Sequence, residues 1–185
     1  MKVTLLGTGS PLPSATCAGP STLVQAANQN IVVDAGRGVI MRLIGAGCPP
    51  PLVSAVLLTH LHSDHICDLN DIVTTRWIAS PAATPLDLYG PKGTQKMVDG
   101  LVAMLALDEG YRLEHHDDLR AGIGMKVNVI EVEAGQSFSV GDVKVSVHAT
   151  DHRPVAPTVG YRFESDGVVA ALAGDTIPCA GLDEM

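Results

Sequence analysis

Three imidazoles and one carboxylate occur within six consecutive positions, from His60 to His65, directly after an apolar run. Alternate side chains of an extended segment share one face, so His60 and His62 can point together. Asp64 and His65 follow where a turn can direct them towards a neighbouring point. Imidazole and carboxylate ligands together are typical of zinc sites, with iron and manganese as alternatives. The spacing therefore predicts two divalent metal ions held side by side.

The alternative interpretation of this segment is a solvated polar loop, or a helix start that Ser63 or Asp64 caps. Three imidazoles beside a buried strand would be costly to desolvate without a ligand. The clustering therefore favours a metal site over a plain loop.

Two more candidate ligands come from the elements that must position this cluster. Residues 55–59 form a continuous apolar run, typical of a strand buried on both faces, and His60 follows it. His152 follows a strand predicted at residues 143–149, and Asp175 follows a strand predicted at residues 168–173. Ligands of open α/β sheets gather beyond the carboxyl ends of strands. The predicted metal ligands are therefore His60, His62, Asp64, His65, His152 and Asp175.

The remaining pattern predicts a layered α/β or α+β domain that occupies residues 1–185. Short β-type runs between turn residues predict further strands at residues 2–6, 22–25, 31–34, 86–89, 127–132 and 160–164. Apolar residues at helical spacing predict one helix around residues 39–44, another at 68–78, and a third that Thr94 caps. The core stripe of the third helix is predicted to contain Met97, Leu101, Met104 and Leu105.

Composition restricts the class of protein and its partners. The 185 residues are 46% hydrophobic and 17% charged, which fits a globular domain. The net charge of -8 argues against a broad basic surface for nucleic acid, although bound metal cations can reverse the sign of a cleft. The cysteines are widely spaced, no apolar run reaches the roughly 18 residues of a membrane span, and the first residues do not form a signal peptide. We therefore expect a cytoplasmic protein without a membrane partner.

The motif Thr59-His60-x-His62-x-Asp64-His65 after a strand resembles the metal signature of the metallo-β-lactamase superfamily. Further blocks resemble the branch that contains ribonuclease Z and the zinc arylsulfatases, and they run in family order from residue 2 to residue 176. These blocks are Leu5-Leu6-Gly7-Thr8-Gly9-Ser10, Val33-Asp34-Ala35-Gly36-Arg37-Gly38, Asp151-His152-Arg153-Pro154 leading to Gly160-Tyr161-Arg162, and Ala173-Gly174-Asp175-Thr176. The resemblance implies an αββα sandwich with a binuclear zinc site.

The resemblance also implies a role for each candidate ligand. One metal would be bound by His60, His62 and His152, the second by Asp64 and His65, and both would be bridged by Asp175. Asp34 would be a buried structural carboxylate behind the site, and residues 7–10 would form a loop close to it.

Two departures from the family pattern bear on function. Members usually supply one more histidine from a segment well past the Gly-Asp-Thr block, whereas these residues stop at Met185. The C-terminal half of the sandwich is therefore expected to be truncated, with a weak second metal site. Ribonuclease Z also carries a long tRNA-gripping arm, where only residues 163–173 stand here. No extended nucleic-acid-binding arm is expected, which weakens the case for tRNA.

The resulting prediction is a metal-dependent hydrolase that cleaves phosphodiester bonds in RNA or in a small anionic ester. A metal-bound hydroxide would attack the phosphorus in line, and Asp64 would orient it as the catalytic residue. The alternatives are an arylsulfatase or lactonase on the same fold, and a metal-binding fragment without catalysis. Homodimers are usual among the relatives, so a homodimer stays open. Arg153 and Arg162 could contact an anionic substrate or form ordinary ion pairs.

Overall fold

Two β-sheets lie face to face in the computed structural model, which describes residues 1–80, 85–122 and 124–185. The six-stranded sheet consists, in spatial order, of β1 (Lys2–Gly7), β2 (Ser21–Ala26), β3 (Gln29–Val33), β4 (Ala55–Leu57), β5 (Leu86–Gly90) and β6 (Val127–Glu131). The second sheet consists of β7 (Ser137–Val140), β8 (Val143–Ala149), β9 (Val159–Ser165) and β10 (Val168–Leu172), in the spatial order β10-β9-β8-β7.

The direction of the strands brings several chain segments to one edge of the first sheet. β1, β2 and β3 are antiparallel, whereas β3, β4, β5 and β6 are parallel. The carboxyl ends of the parallel strands therefore share an edge, where Asp34 follows β3 and His60 follows β4 within three residues. The four-stranded sheet is antiparallel throughout.

Helices cover the outer face of the six-stranded sheet. The helices are α1 (Val39–Gly45), α2 (Ser63–Ile66), α3 (Leu69–Ala79), α4 (Thr94–His115), α5 (Asp117–Arg120) and α6 (Ala180–Asp183), with a 3₁₀ turn at Pro50–Leu52. Leu43 of α1, Trp77 of α3 and Val98 of α4 pack with Val56 and Leu88 of the sheet in one buried cluster. Only the short α6 packs on the four-stranded sheet among the described residues.

A second buried cluster joins the two sheets. Ile31 and Leu57 from the first sheet pack with Val145, Tyr161 and Phe163 from the second, and each is at most 1% exposed. Burying a large apolar side chain contributes about 1.5–3 kcal/mol, so this layer holds the two sheets together. The αββα class is therefore confirmed, with its second helical layer represented by α6.

A tight turn, and not a long nucleic-acid-binding arm, connects β9 to β10. Asp166 and Gly167 have φ values of 51° and 73°, the left-handed pair that a two-residue hairpin requires. The chain returns at once into β10, so no arm separates these two strands.

All four cysteines are free thiols. No helix within the described ranges has both the length and the apolar character needed to cross a bilayer.

Several local predictions were wrong. β4 ends at Leu57 rather than at residue 59, and β7 follows Gly135 without having been predicted. Gly93 caps α4 with a φ of 106°, while the hydroxyl of Thr94 donates to the carbonyl of Pro91. Met104 is 64% exposed and does not belong to the core stripe of α4, because Val98 and Leu101 fill that face instead.

Candidate metal centre

The segment that carries the histidine cluster is held between the two sheets after β4 ends. The backbone N–H of Leu58 donates to the carbonyl of Tyr89 on β5. The phenol of Tyr161 donates to the carbonyl of Leu58 at 2.7 Å, and the N–H of Val159 donates to the carbonyl of Thr59 at 2.9 Å. The chain therefore reaches His60 with its backbone bonded to both sheets, which fixes where the following side chains begin.

Three imidazoles from two distant segments converge on one point. His60 Nε2 lies 3.1 Å from His62 Nδ1, and His152 Nε2 lies 3.3 Å from the same atom. Two nitrogens bound to one tetrahedral zinc at about 2.0–2.1 Å would lie about 3.3 Å apart. The spacing of the three nitrogens therefore suits one cation.

A second group of donors lies beside the first. His60, His65 and Asp175 each present a donor atom within 4.8 Å of the other two. His65 Nε2 is 3.4 Å from Asp175 Oδ1 and 3.9 Å from Asp64 Oδ2. Asp64 thus lies near His65. Among the described residues, however, its carboxylate is not part of either group of three donor atoms that lie within 4.8 Å of one another.

A buried carboxylate orients the deepest imidazole. His65 Nδ1 donates to Asp34 Oδ2 at 2.8 Å, and Asp34 is 4% exposed. This bond directs the other ring nitrogen of His65, Nε2, towards Asp175 and Asp64. Ligand histidines commonly make such a bond with the nitrogen that does not bind the metal. Asp34 lies behind the donors, as the resemblance implies.

Thr59 links this carboxylate to the other buried imidazole. Its N–H donates to Asp34 Oδ1 at 2.8 Å, and its hydroxyl lies 2.9 Å from Asp34 Oδ2 and 3.1 Å from His60 Nδ1. All three groups are satisfied when His60 Nδ1–H donates to the hydroxyl and the hydroxyl donates to Asp34. The lone pair of His60 Nε2 then faces the group of three nitrogens.

Sequence reasoning did not single out Thr59 or Gly174 as functional. Gly174 has a φ of 65°, and a Cβ at this position would lie 2.7 Å from Cβ of Thr59. A glycine is therefore required where the chain passes Thr59 on its way to Asp175. The signal available in the sequence was that both residues belong to the family motifs and directly precede a candidate ligand.

The two buried imidazoles have opposite electrostatic environments. Burial, together with the neighbouring imidazoles of His65, His62 and His152, lowers the pKa of His60 to about 4, although the charge of Asp175 opposes this shift. Burial also opposes the charged form of His65, but the hydrogen bond to Asp34 and the negative charges of Asp34, Asp175 and Asp64 together outweigh it, so its pKa is raised. His60 is therefore a neutral imidazole with an available lone pair at neutral pH.

The donor set fits divalent metal ions. The buried Nε2 of His65 has no hydrogen-bond partner among the residues that the structure describes, which would be costly if no ligand ever satisfied it. His62 is exposed and Asp175 is half-exposed on its side chain, so the buried donors face an opening to solvent. Imidazole-rich donors with carboxylates at one side are typical of zinc.

The two candidate arginines form ion pairs. Arg153 Nη2 lies 2.7 Å from Asp151 Oδ2, and Arg162 Nη1 lies 3.0 Å from Glu164 Oε2. The ion-pair alternative therefore describes both residues, and neither guanidinium points to the group of imidazoles through a hydrogen bond in the described residues.

Comparison with known proteins gives the same family as the sequence motifs. A family model described as the beta-lactamase superfamily domain matches residues 29–184. The ribonuclease Z of Mycolicibacterium gilvum (strain PYR-GCK) is 49% identical over 187 residues, which cover 100% of this chain and 65% of that protein. The chain thus spans a little under two thirds of the length of this relative.

Two solved structures share the fold at low sequence identity. The metallo-β-lactamase fold protein YhfI from Bacillus subtilis has a TM-score of 0.74 and 21% identity, over 96% of this chain and 63% of that one. The short form of human tRNase Z has a TM-score of 0.71 and 23% identity, over 98% of this chain and 70% of that one. With the family model matching most of its residues and the fold shared along its length, the chain belongs to the β-lactamase superfamily.

Proposed function

We propose that this protein hydrolyses phosphodiester bonds of RNA at a site that holds two divalent metal ions. The observation that carries the proposal is the convergence of His60, His62 and His152 beside His65 and Asp175 at the rim between the sheets. Support for the substrate class comes from a relative of 49% identity that is named ribonuclease Z.

The residues divide into two sets of ligands. His60, His62 and His152 would hold one ion, because their nitrogens already have the spacing of a common ligand sphere. His65, Asp175 and Asp64 would hold the other, with Asp175 near enough to His60 to serve both sets. Zinc suits the imidazole-rich set best. When bound, a pair of divalent cations supplies Lewis acidity to the phosphate and to water.

The chain's own groups then orient the reactants and move protons. Asp64 is buried beside His65, where its carboxylate can accept a proton from the attacking water and return it to the leaving oxygen. Asp34 and Thr59 hold His65 and His60 in fixed orientations, so no rearrangement is needed when the substrate binds. Asp64 is therefore the proposed catalytic residue.

The short β9–β10 turn does not argue against RNA. The alignment with the ribonuclease Z of Mycolicibacterium gilvum extends over 187 residues, only two more than this chain contains. An insertion as long as an arm is therefore not present in the matched part of that relative either. The missing arm therefore does not weaken the case for tRNA.

Parallel assays test this proposal. Zinc-loaded protein is expected to cleave a 3′-extended RNA hairpin and a simple phosphodiester, with little turnover of an aryl sulfate or a lactone. Hydrolysis of the sulfate or lactone alone would assign the alternative chemistry. Bound metal with no turnover of any ester would mean a metal-binding chain without catalysis.

Cytoplasmic location and a homodimer belong to the same proposal, and sedimentation of the purified protein tests the dimer.

A further inference from the structure

An open cavity of about 620 Å³ adjoins the candidate metal centre. Its walls come from three places: the segment after β6, the loop between β8 and β9, and the turn before α4. The volume lies within the range of about 300–1,000 Å³ that is usual for small-molecule sites. His152 forms part of the wall, and the same ring has Nε2 3.3 Å from His62 Nδ1. An occupant would therefore lie directly beside the imidazole cluster.

The lining of the cavity is mainly aliphatic. Val132 and Val159 are 4% and 2% exposed and form part of its wall, together with Val155 and Pro157. Side chains of this kind offer van der Waals contact but few hydrogen bonds, so they suit the face of a flat, weakly polar ring.

The charged side chains that line the cavity indicate which polar groups a flat, ring-containing ligand should carry. Arg153 and Asp151 neutralise each other through a pair of hydrogen bonds. Lys92 and Glu133 also line the cavity, and neither forms an ion pair within the parts of the chain that the structure describes. One available cation and one available carboxylate match a ligand that carries both an anion and N–H donors.

Lys92 has an acidic neighbour in Glu131 at the end of β6, but the two side chains form no ion pair within the described residues. Glu131 Oε1 accepts hydrogen bonds from the backbone N–H groups of Gly93 at 2.8 Å and Gln95 at 3.1 Å. The carboxylate of Glu131 is therefore hydrogen-bonded to the backbone at the start of α4. The ammonium group of Lys92 stays available to a phosphate oxygen.

We propose that this cavity binds the nucleobase next to the scissile phosphate, with Lys92 contacting the phosphate and Glu133 accepting a hydrogen bond from an amino group of the base. The inference rests on the proposed function, since it places the phosphate at the imidazole cluster. A nucleotide has the required anion, flat ring and N–H donors, whereas an aryl sulfate or a lactone lacks the donors.

Binding of cytidine 5′-monophosphate and ribose 5-phosphate tests the proposal without turnover. Dissociation constants are measured by calorimetry on the protein with and without zinc. The nucleotide is expected to bind about ten-fold more tightly or better, because it alone places a flat ring against the aliphatic wall of the cavity. Equal affinities for the two ligands would overturn the proposal.

Variants locate the base in the cavity. Ala134 is exposed on its wall, so Ala134→Trp fills the space, and Ala134→Leu is a smaller change should the indole disturb folding. Ala106→Trp on the exposed face of α4 is the matched control. Filling the cavity is expected to abolish the preference for the nucleotide, and the control to leave it intact. If both Ala134 variants still bind the nucleotide more tightly than ribose 5-phosphate, the base lies elsewhere and the proposal is wrong.

A second pair of variants tests the cation. Lys92→Ala is expected to weaken both ligands about three-fold, the effect of one exposed ion pair, while Lys96→Ala one turn along α4 leaves both unchanged. Equal effects of the two substitutions would reject the assignment of Lys92. If RNA is cleaved but the base adds no affinity, the cavity assignment fails alone. If the base adds affinity but no phosphodiester is cleaved, the proposed function fails alone.

Discussion

Asp34 Oδ2 accepts a hydrogen bond from Nδ1 of His65 over 2.8 Å, and both side chains are buried. The bond fixes which nitrogen of His65 faces the candidate metal centre. Asp34 also accepts hydrogen bonds from the N–H and the hydroxyl of Thr59, so one carboxylate organises two successive parts of the site.

Replacement of this carboxylate is expected to weaken both the fold and metal binding. Asp34→Asn keeps a residue that tolerates the φ of 62° at this position, but it removes the charge and one acceptor. We expect a loss of about 1–3 kcal/mol in the free energy of unfolding and a 10–100-fold fall in zinc affinity. Urea unfolding and zinc titration measure the two effects. Asp142→Asn, on an exposed turn, should change neither, and unaltered zinc affinity in Asp34→Asn would remove Asp34 from the site.

The two sets of ligands predict different losses of metal. His60 and His152 belong to the first set of ligands, whereas Asp175 lies near enough to His60 to serve both sets. His60→Ala and His152→Ala are each expected to lose one of two zinc ions, and Asp175→Ala to lose zinc from both sites. Elemental analysis of the purified variants gives zinc per chain, and phosphodiester hydrolysis should fall at least 100-fold in all three. Full zinc content in Asp175→Ala would contradict the assignment of the shared ligand.

Thr59 is expected to act through its hydroxyl. Thr59→Val has nearly the same shape but leaves His60 Nδ1 and Asp34 each without one partner, at a cost of about 1–3 kcal/mol in stability. Zinc affinity should fall about ten-fold or more, because the orientation of His60 is no longer fixed. Thr59→Ser retains the hydroxyl and should recover most of the zinc affinity. Equal zinc affinities for the valine and serine variants would show that the hydroxyl does not position His60.

Arg76 offers a test of stability that is separate from the metal centre. Arg76 is only 9% exposed, and Nη1 donates to the carbonyls of Pro50, Pro51 and Val53. Burial lowers the pKa of this side chain, and Asp87 partly opposes the shift. Arg76→Leu would leave the three carbonyls without this donor, so we expect a loss of about 3 kcal/mol or more in the free energy of unfolding.

Urea unfolding of Arg76→Leu measures this loss, and zinc content at low denaturant serves as the internal control. Arg76→Lys keeps a cation with fewer donors and is expected to fall between the parent and the leucine variant. Stability equal to that of the parent in Arg76→Leu would show that the three carbonyls find other partners.

The sequence by itself determined the local elements and the identity of the candidate ligands. An apolar run followed by closely spaced histidines predicted β4 and the position of His60 beyond its carboxyl end, and β-type runs between turn residues predicted β9 and β10. These features could be recognised because the spacing of apolar residues and the preference of certain residues for turns depend on only a few neighbouring positions. The errors at Thr94 and Met104 arose at helix termini and exposed faces, where propensity is a weak guide and packing decides.

Only the tertiary structure decided which of these residues meet. His62 and His152 are ninety positions apart, yet their nitrogens lie 3.3 Å from each other because the two sheets pack through Leu57 and Tyr161. The role of Thr59 and the cavity beside His152 likewise depend on contacts between segments that no local pattern relates. Long-range packing, which buries apolar surface from both sheets at once, converts a list of candidate ligands into one site.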